Sequence, residues 1–303
     1  MNFSSTLLTV SLSLLVLSSP LYGATLPETL PLWGDRLVEN PIQYSDGEKV
    51  REPKAAPSAP SGRNRVISQV SVPTYTIHRP PANLANGVGL VICPGGGYVD
   101  VWLDREGNDL AIWLAGRGIT SLVLKYRTNA RREGQQRRYE WDTYLKAAIA
   151  DARGAVALLR SQADELGLDE DKIGISGFSA GGHLAFSTAC DERFGNASAA
   201  EQPNFLGLFY PWLWDGFDEM ARGTDEIPPT FIMNGAPDTV TPAKHCLTLT
   251  QILLEKAVPV ELHVFRKGNH GFDLGEGHGQ SPALWKVSFV AWLQDLGLIS
   301  YQN

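Results

Sequence analysis

The sequence predicts an open α/β domain with a mostly parallel sheet and helices on both faces. Seven apolar, strand-like runs alternate with longer segments, several of which carry apolar residues at helical spacing. Strand followed by helix, repeated along a chain, gives parallel strands joined by crossover helices. A length of 303 residues, 43% of them hydrophobic and 19% charged, is sufficient for one large core. We therefore expect one such domain, over residues 69–303.

The first 24 residues predict an export signal. An apolar run over residues 7–17 is too short to span a bilayer comfortably, and residues 20–24 offer small side chains for cleavage. The residues before that run include no Lys or Arg, so a membrane-retained anchor stays open as the alternative. The expectation is export to the periplasm or beyond the cell, with no membrane association after cleavage.

Residues 25–68 hold six prolines and little periodicity, which predicts an extended arm that wraps around the fold rather than packing into it. The expected strands are residues 71–77, 88–93, 119–126, 172–176, 205–210, 230–234 and 260–265. The expected helices are residues 104–115 and 139–165, one that begins at an N-cap Thr241, and residues 283–296. The segment between residues 210 and 229 is short, so no large lid is expected.

Charge and cysteine usage restrict the partners. A formal net charge of −7 and a pI near 5.4 argue against nucleic acid and anionic membranes, which reward an excess of Lys and Arg. The arginines at 131, 132, 137 and 138 are interpreted as a solvated loop. Cys93, Cys190 and Cys246 have no neighbour at metal-ligand spacing and are expected to be buried, although one disulfide among them stays open.

The pentapeptide Gly177-Phe178-Ser179-Ala180-Gly181 follows an apolar strand and begins a helix of small residues. A serine on a sharp strand-to-helix turn tolerates no large neighbours, so glycines two before and two after it suit an exposed nucleophile. The pattern alone is moderate evidence, because a glycine-rich chain produces it by chance about 0.2 times. Its context therefore decides the interpretation.

Three other strand ends carry groups that suit acyl transfer. The loop Pro94-Gly95-Gly96-Gly97-Tyr98 has backbone amides that side chains do not shield, as an oxyanion-binding loop requires. Asp238 and His270 follow the next-to-last and last predicted strands. Because reactive groups collect beyond the carboxyl ends of parallel strands, and the order is serine, acid, histidine, we expect Ser179, Asp238 and His270 to meet.

The chain resembles the α/β-hydrolase superfamily from about residue 69 to residue 297, and within it the secreted branch that is similar to acetylxylan esterases and xylanase-associated esterases. The resemblance rests on five segments: residues 92–98, 105–107, 124–127, 177–183 and 268–272. One departure concerns the oxyanion loop, which starts with Pro94 where related lipase-like esterases have His. The match is specific for the fold and the nucleophile and weaker for the substrate.

The resemblance implies that Ser179 is the nucleophile, His270 the general base and Asp238 the residue that orients the imidazole. The oxyanion hole would comprise the amides of Ala180, Gly95 and Gly96, with Gly97 as a further candidate. Neither metal nor cofactor is expected. His278 is an alternative base, His183 is interpreted as a packing residue, and Glu106 with Arg127 as an ion pair supporting the oxyanion loop. The predicted pocket residues are Tyr98, Trp212 and Trp214.

The predicted activity is hydrolysis of short acyl esters, acetyl above all, on xylan or another plant polysaccharide. The substrate would be a small-molecule or oligosaccharide ester. A feruloyl esterase, a serine peptidase or amidase of the same fold and a non-catalytic carbohydrate-binding relative remain as alternatives. Oligomeric state and the natural acyl group stay open.

Overall fold

A computed structural model describes residues 26–34, 40–56, 58–131, 137–214 and 216–300. The predicted signal segment, residues 1–24, lies outside them. The strands are β1 (Thr29–Pro31), β2 (Lys49–Arg51), β3 (Val66–Ser68), β4 (Thr74–His78), β5 (Gly89–Cys93), β6 (Asp100–Val101), β7 (Thr120–Lys125), β8 (Ile173–Phe178), β9 (Leu206–Phe209), β10 (Thr230–Gly235) and β11 (Val260–Phe265). The helices are α1 (Asp109–Ala115), α2 (Trp141–Ser161), α3 (Ala163–Leu166), α4 (Ala180–Cys190), α5 (Phe217–Gly223), α6 (Ala243–Glu255), α7 (Gln280–Ala283) and α8 (Trp285–Asp295).

The large sheet has eight strands in the order β1-β4-β7-β5-β8-β9-β10-β11. In sheet order, each neighbouring pair in the series β7-β5-β8-β9-β10-β11 is parallel. β4 and β1 add an antiparallel edge beside β7. The predicted mostly parallel sheet is therefore confirmed. Its parallel strands all end at one edge, so the loops after β5, β8, β10 and β11 lie on the same side of the molecule.

Both faces of the sheet are covered, as predicted. Successive residues of β5 show this: Val91 and Cys93 pack into one core with α2, α4 and α6, whereas Leu90 and Ile92 pack into the other with α1 and α8. Strands buried on both faces are continuous apolar runs, since each side chain meets a helix layer. This pattern made the central strands recognisable in the sequence.

The N-terminal arm packs into the fold, which corrects the expectation that it only wraps. β1 pairs with β4 in the large sheet, while β2 and β3 form a small antiparallel sheet with β6. Ile42 is fully buried, and Trp33 Nε1 donates a 3.0 Å hydrogen bond to Asp151. Apolar side chains spaced among the prolines provide these contacts, and their irregular spacing hid them from a search for periodicity.

Two predicted helices are shorter or less regular than expected. The helix over 104–115 begins with a π-helical turn, Asp104–Asn108, in which the Asn108 N–H donates to the Leu103 carbonyl. The helix over 139–165 is divided at Gln162, whose backbone leaves helical geometry. Glu106 lies within this turn and is buried.

The remaining fold expectations concern the membrane, the cysteines and the lid. In the described part of the chain, no helix is long and apolar enough to cross a bilayer. Cys93, Cys190 and Cys246 are buried free thiols, so the disulfide left open by the sequence does not form. Between β9 and β10 the structure has the seven-residue α5 and no large lid.

Candidate active site

Ser179 occupies a strained turn between β8 and α4. Its backbone has φ 52° and ψ −116°, a conformation that residues other than glycine rarely adopt. A Cβ at Gly177 would lie 2.0 Å from the Gly181 carbonyl oxygen, and one at Gly181 would lie 2.0 Å from the Cys93 carbonyl oxygen. The two glycines are thus required by close backbone contacts, which explains the spacing seen in the sequence.

The structure brings Ser179, His270 and Asp238 into one hydrogen-bonded row. Ser179 Oγ lies 2.9 Å from His270 Nε2, and His270 Nδ1 lies 2.9 Å from Asp238 Oδ2. Ser179 follows β8, Asp238 follows β10 and His270 follows β11, so three parallel strand ends supply the three groups. The Asp238 side chain is fully buried, whereas the His270 side chain remains 24% exposed.

The environment of Asp238 favours its ionised form. Burial alone would raise the pKa of this carboxyl, but hydrogen bonds from His270 and Thr241 outweigh burial and lower the pKa below its ordinary value. Asp238 Oδ1 accepts the N–H groups of Val240 and Thr241 at 2.8 and 2.9 Å. The carboxylate is therefore charged at neutral pH and fixed in orientation, as a residue that aligns an imidazole needs to be.

Thr241 is a site residue that the sequence analysis treated only as a helix cap. Its hydroxyl donates to Asp238 Oδ2 at 2.8 Å and lies 3.0 Å from His270 Nδ1. It also lies 3.1 Å from the Tyr210 carbonyl, and the cap of α6 is Pro242. A threonine three residues after an aspartate in a strand-end loop was the available signal, and it also matches ordinary turn chemistry.

The glycine loop after β5 is held by its carbonyl groups. The Gly95 carbonyl accepts the Trp102 N–H, and the Gly96 carbonyl accepts the N–H groups of Val99 and Asp100. In a trans peptide the carbonyl and the next N–H point in opposite directions, so these bonds also orient the N–H groups of Gly96 and Gly97. Neither amide has an acceptor within the described residues.

The Gly95 amide is engaged elsewhere, which corrects its predicted place in the oxyanion hole. Its N–H donates to Glu106 Oε2 at 2.6 Å. The predicted ion pair of Glu106 with Arg127 is also wrong, because Arg127 binds Asp151 at 2.7 Å. Arg127 is next to the N-terminal arm in space, and the motif that suggested the pair contains no information on that neighbour.

Ala180 supplies the other amide beside the nucleophile. It is the first residue of α4, and first-turn N–H groups of a helix lack an intrahelical acceptor. Among the described residues, neither the Ala180 N–H nor the Gly96 N–H has an acceptor. Both amides lie next to Ser179: Ala180 follows it in the chain, and a Cβ built on Gly95, which adjoins Gly96, would lie 3.1 Å from Ser179 Cβ. Such a pair of amides is suited to an anionic oxygen.

Backbone strain concentrates around this site. Four of the six described non-glycine residues with positive φ lie in its loops: Tyr98 (62°), Ser179 (52°), Tyr210 (36°) and Asp273 (45°). Each such residue costs on the order of 1–3 kcal/mol and persists only where surrounding contacts enforce it. The hydrogen bonds of these loops therefore maintain a conformation that the local sequence disfavours.

The three predicted pocket residues have different environments. Tyr98 is fully buried and its hydroxyl is hydrogen-bonded to His183 Nδ1 at 2.5 Å, so it supports the loop and does not line an open pocket. Trp212 and Trp214 are partly exposed, and the backbone N–H of Trp212 donates to the Ser179 carbonyl at 2.8 Å. His183 lies between them, with ring centroids 5.1 and 4.0 Å away.

His183 makes the folded state sensitive to acid. Burial, helped by Arg193, lowers the pKa of His183 to about 3. Below pH 6.5 the unfolded chain binds a proton here that the folded chain does not, so stability falls with decreasing pH. We expect about 2 kcal/mol of unfolding free energy to be lost from this residue between pH 7.5 and 5.0.

Urea unfolding of the wild type and His183→Gln at both pH values measures this loss. At pH 7.5 the variant is expected to have a lower unfolding free energy than the wild type. Between pH 7.5 and 5.0 it should lose about 2 kcal/mol less of that free energy, because glutamine does not titrate. Equal losses in the two proteins would contradict the assignment of a neutral, buried His183.

The remaining candidate residues lie apart from the row. The His278 N–H donates to Gly275, and its ring packs 6.3 Å from Phe272, with no contact to Ser179 among the described residues. Arg137 is not merely solvated, since it donates to the Gly97 carbonyl at 2.8 Å. No cluster of three metal-binding side chains occurs in the described ranges.

Comparison with known proteins gives three kinds of similarity. Residues 135–204, which include Ser179, match the family model BD-FAE. An acetylxylan esterase from Xylanibacter ruminicola is 29% identical over 70% of this chain and 45% of its own length. Endo-1,4-beta-xylanase B from Butyrivibrio fibrisolvens is 27% identical over 60% of this chain and 32% of its own length. The chain thus spans less than half of either curated relative.

Among solved structures, an acetyl ester-xyloside bifunctional hydrolase from Caldicellulosiruptor lactoaceticus superposes with a TM-score of 0.68. The two chains are 23% identical, and the match covers 91% of this chain and 99% of the other. At that identity the similarity shows the fold alone. The resemblance predicted from the five sequence segments is confirmed by these relatives.

Proposed function

We propose that this chain, which has the α/β-hydrolase fold, is a serine esterase that removes short acyl groups, acetyl above all, from xylan or a related plant polysaccharide. The observation that carries the proposal is the row Ser179–His270–Asp238, with both hydrogen-bond distances at 2.9 Å. The unpaired amides of Gly96 and Ala180 beside the serine provide the second requirement of acyl transfer, a site for the oxyanion.

The proposed reaction has two halves. His270 Nε2 accepts the Ser179 proton while Oγ attacks the ester carbonyl carbon, and the carbonyl electron pair moves to the oxygen held by the Gly96 and Ala180 amides. The intermediate collapses as His270 returns the proton to the leaving alcohol. Water then attacks the acyl-enzyme with His270 again as base, which releases the carboxylic acid and restores Ser179.

Asp238 is proposed to hold the imidazole in the tautomer that leaves Nε2 free to accept a proton. Its lowered pKa keeps it anionic, so it also stabilises the imidazolium formed during attack. Thr241 is proposed to position both partners, because its hydroxyl contacts Asp238 and lies beside His270. Each oxyanion amide is expected to contribute about 100-fold to turnover.

Two features support a short acyl group and a sugar alcohol. The seven-residue α5 between β9 and β10 provides no cover for a long acyl chain. Trp212 and Trp214 are partly exposed, and the backbone N–H of Trp212 donates to the Ser179 carbonyl, so this segment adjoins the nucleophile. Partly exposed aromatic residues suit stacking with a sugar ring. The acetylxylan esterase and xylanase names of the relatives agree with this substrate class.

A substrate survey tests the proposal. We expect kcat/KM on nitrophenyl esters to be highest for acetate and at least about 10-fold lower for octanoate, since the open site gives a long chain few contacts. Acetylated xylo-oligosaccharides should release acetate faster than feruloylated ones release ferulate. Preference for feruloyl esters, or faster cleavage of a matched peptide amide than of the acetate ester, would replace the proposal with one of those activities.

A further inference from the structure

Glu106 is a buried carboxylate beside the proposed oxyanion site. Its side chain comes from the π-helical turn Asp104–Asn108 and is 5% exposed. Oε2 accepts the Gly95 N–H at 2.6 Å and Oε1 accepts the Tyr210 hydroxyl at 2.7 Å. A Cβ built on Gly95 would lie 2.7 Å from Oε2 and 3.1 Å from Ser179 Cβ. Gly95 is therefore enclosed between this carboxylate and the serine.

The peptide group between Pro94 and Gly95 is fixed on both sides. Glu106 binds its N–H, and the Tyr126 hydroxyl donates to its Pro94 carbonyl at 2.7 Å. The next peptide group is fixed by the bond from Trp102 to the Gly95 carbonyl, which leaves the Gly96 N–H pointing the other way. Without Glu106, the Gly95 amide would lose its acceptor and only the Tyr126 hydroxyl would hold the first peptide of the loop.

Tyr210 connects Glu106 to the loop that carries His270. Its hydroxyl accepts the Asp273 N–H at 3.2 Å, and its ring lies 5.3 Å from the His270 ring. Asp273 binds Arg105 Nε at 2.7 Å, and Arg105 donates to the Gly271 carbonyl at 3.3 Å. The contacts of Glu106 thus run from the glycine loop to the residues on both sides of His270.

The titratable groups around Glu106 are Asp273, Arg105, His270, Tyr210 and Tyr126. Burial and the Asp273 carboxylate raise the pKa of Glu106 to about 7, despite the hydrogen bonds from Tyr210 and Gly95. The Gly95 bond survives in either protonation state, since the carbonyl oxygen of a carboxylic acid also accepts. When Glu106 takes a proton, its carboxyl group donates to the Tyr210 hydroxyl instead of accepting from it.

We propose that Glu106 is a positioning residue for ester hydrolysis: its carboxyl group holds the Gly95 N–H away from the substrate, so that the Gly96 N–H faces the developing oxyanion. The inference rests on the proposed esterase function. It assigns Glu106 no contact with the substrate, and its effect is expected in the transition state, where the oxyanion forms.

The test compares three variants on nitrophenyl acetate. Glu106→Ala is expected to lower kcat by about 10- to 100-fold with KM changed less than about 3-fold, because only the transition state uses the oxyanion amides. Glu106→Gln should recover kcat to within about 5-fold of the wild type, since its amide oxygen accepts from Gly95.

Asp109→Ala is the matched control. Asp109 is another buried carboxylate three residues further along; it accepts the Ser61 N–H at 2.7 Å and has no hydrogen bond to the glycine loop among the described residues. A merely structural role for Glu106 predicts that the two alanine variants behave alike. A positioning role for Glu106 predicts that Asp109→Ala loses stability but keeps kcat within about 2-fold of the wild type. Equal loss of kcat in both variants, or none in Glu106→Ala, would overturn the inference.

If Glu106→Ala does not fold, Glu106→Gln decides the matter, because a loss of kcat much greater than about 5-fold in a variant that keeps an acceptor for the Gly95 N–H would overturn the inference. Tyr210→Phe tests the link to the His270 loop separately. It leaves the Gly95 bond in place and removes the link to the His270 loop, so a fall in kcat of about 3- to 10-fold is expected. An unchanged kcat would contradict the connection between the two loops. Failure of the proposed function itself is distinct, because it would appear as a wild type that hydrolyses none of the esters.

Discussion

Replacing Ser179 with alanine is expected to lower kcat on acetate esters by at least about 10⁴-fold, because no acyl-enzyme can form without Oγ. Among the described residues, Thr241 has the one other hydroxyl in the row with His270 and Asp238, and it lies on the Asp238 side of the imidazole. Steady-state kinetics with nitrophenyl acetate measures the loss. Residual activity within 10-fold of the wild type would refute Ser179 as the nucleophile.

Ser187→Ala is the control for this change. Ser187 lies on α4, the helix that follows Ser179; it is fully buried, and its hydroxyl has no hydrogen-bond partner in the described structure. Its removal should leave kcat within about 2-fold, since it affects packing alone. The unfolding transition of Ser179→Ala should stay cooperative, which separates loss of chemistry from loss of fold.

Replacing His270 with alanine has the second large effect, an expected loss in kcat of about 10⁴-fold or more, because the base for both half-reactions is removed. Asp238→Asn keeps the side-chain shape and removes the charge, so a somewhat smaller loss is expected. Initial rates from pH 5 to 9 for the three proteins measure these effects.

His278→Ala distinguishes the two histidines that sequence reasoning left as candidate bases. Its side chain packs near Phe272 and makes no contact with Ser179. The variant is therefore expected to keep kcat within about 3-fold of the wild type. If His278→Ala loses activity and His270→Ala keeps it, the base has been assigned to the wrong residue.

Much of the sheet and the row of reactive groups was predictable from the sequence. The central strands are buried on both faces and therefore appear as uninterrupted apolar runs. The spacing around Ser179 reflects two backbone contacts that exclude a Cβ, and glycine is the only residue that meets that requirement. Such local constraints remain visible in one sequence without any knowledge of distant neighbours.

The contacts of Glu106 and Arg127 were not predictable in the same way. Both residues lie in segments that carried the resemblance, yet their partners, Gly95 and Asp151, are determined by the packing of different elements. The sequence likewise predicts a pocket position for Tyr98, although this residue is buried against His183. Charge and proximity along the chain do not determine which buried groups pair, because the pairing depends on side-chain direction across the core.

The N-terminal strand has a consequence for association between copies of the protein. An uncovered edge strand offers its free N–H and C=O groups to any other chain, and β1 covers this side of β4. β1 is only three residues long and ends at Pro31, whose nitrogen donates no hydrogen bond. Resistance to fibril-like polymerisation on this side therefore depends on a few residues far upstream of Ser179, Asp238 and His270.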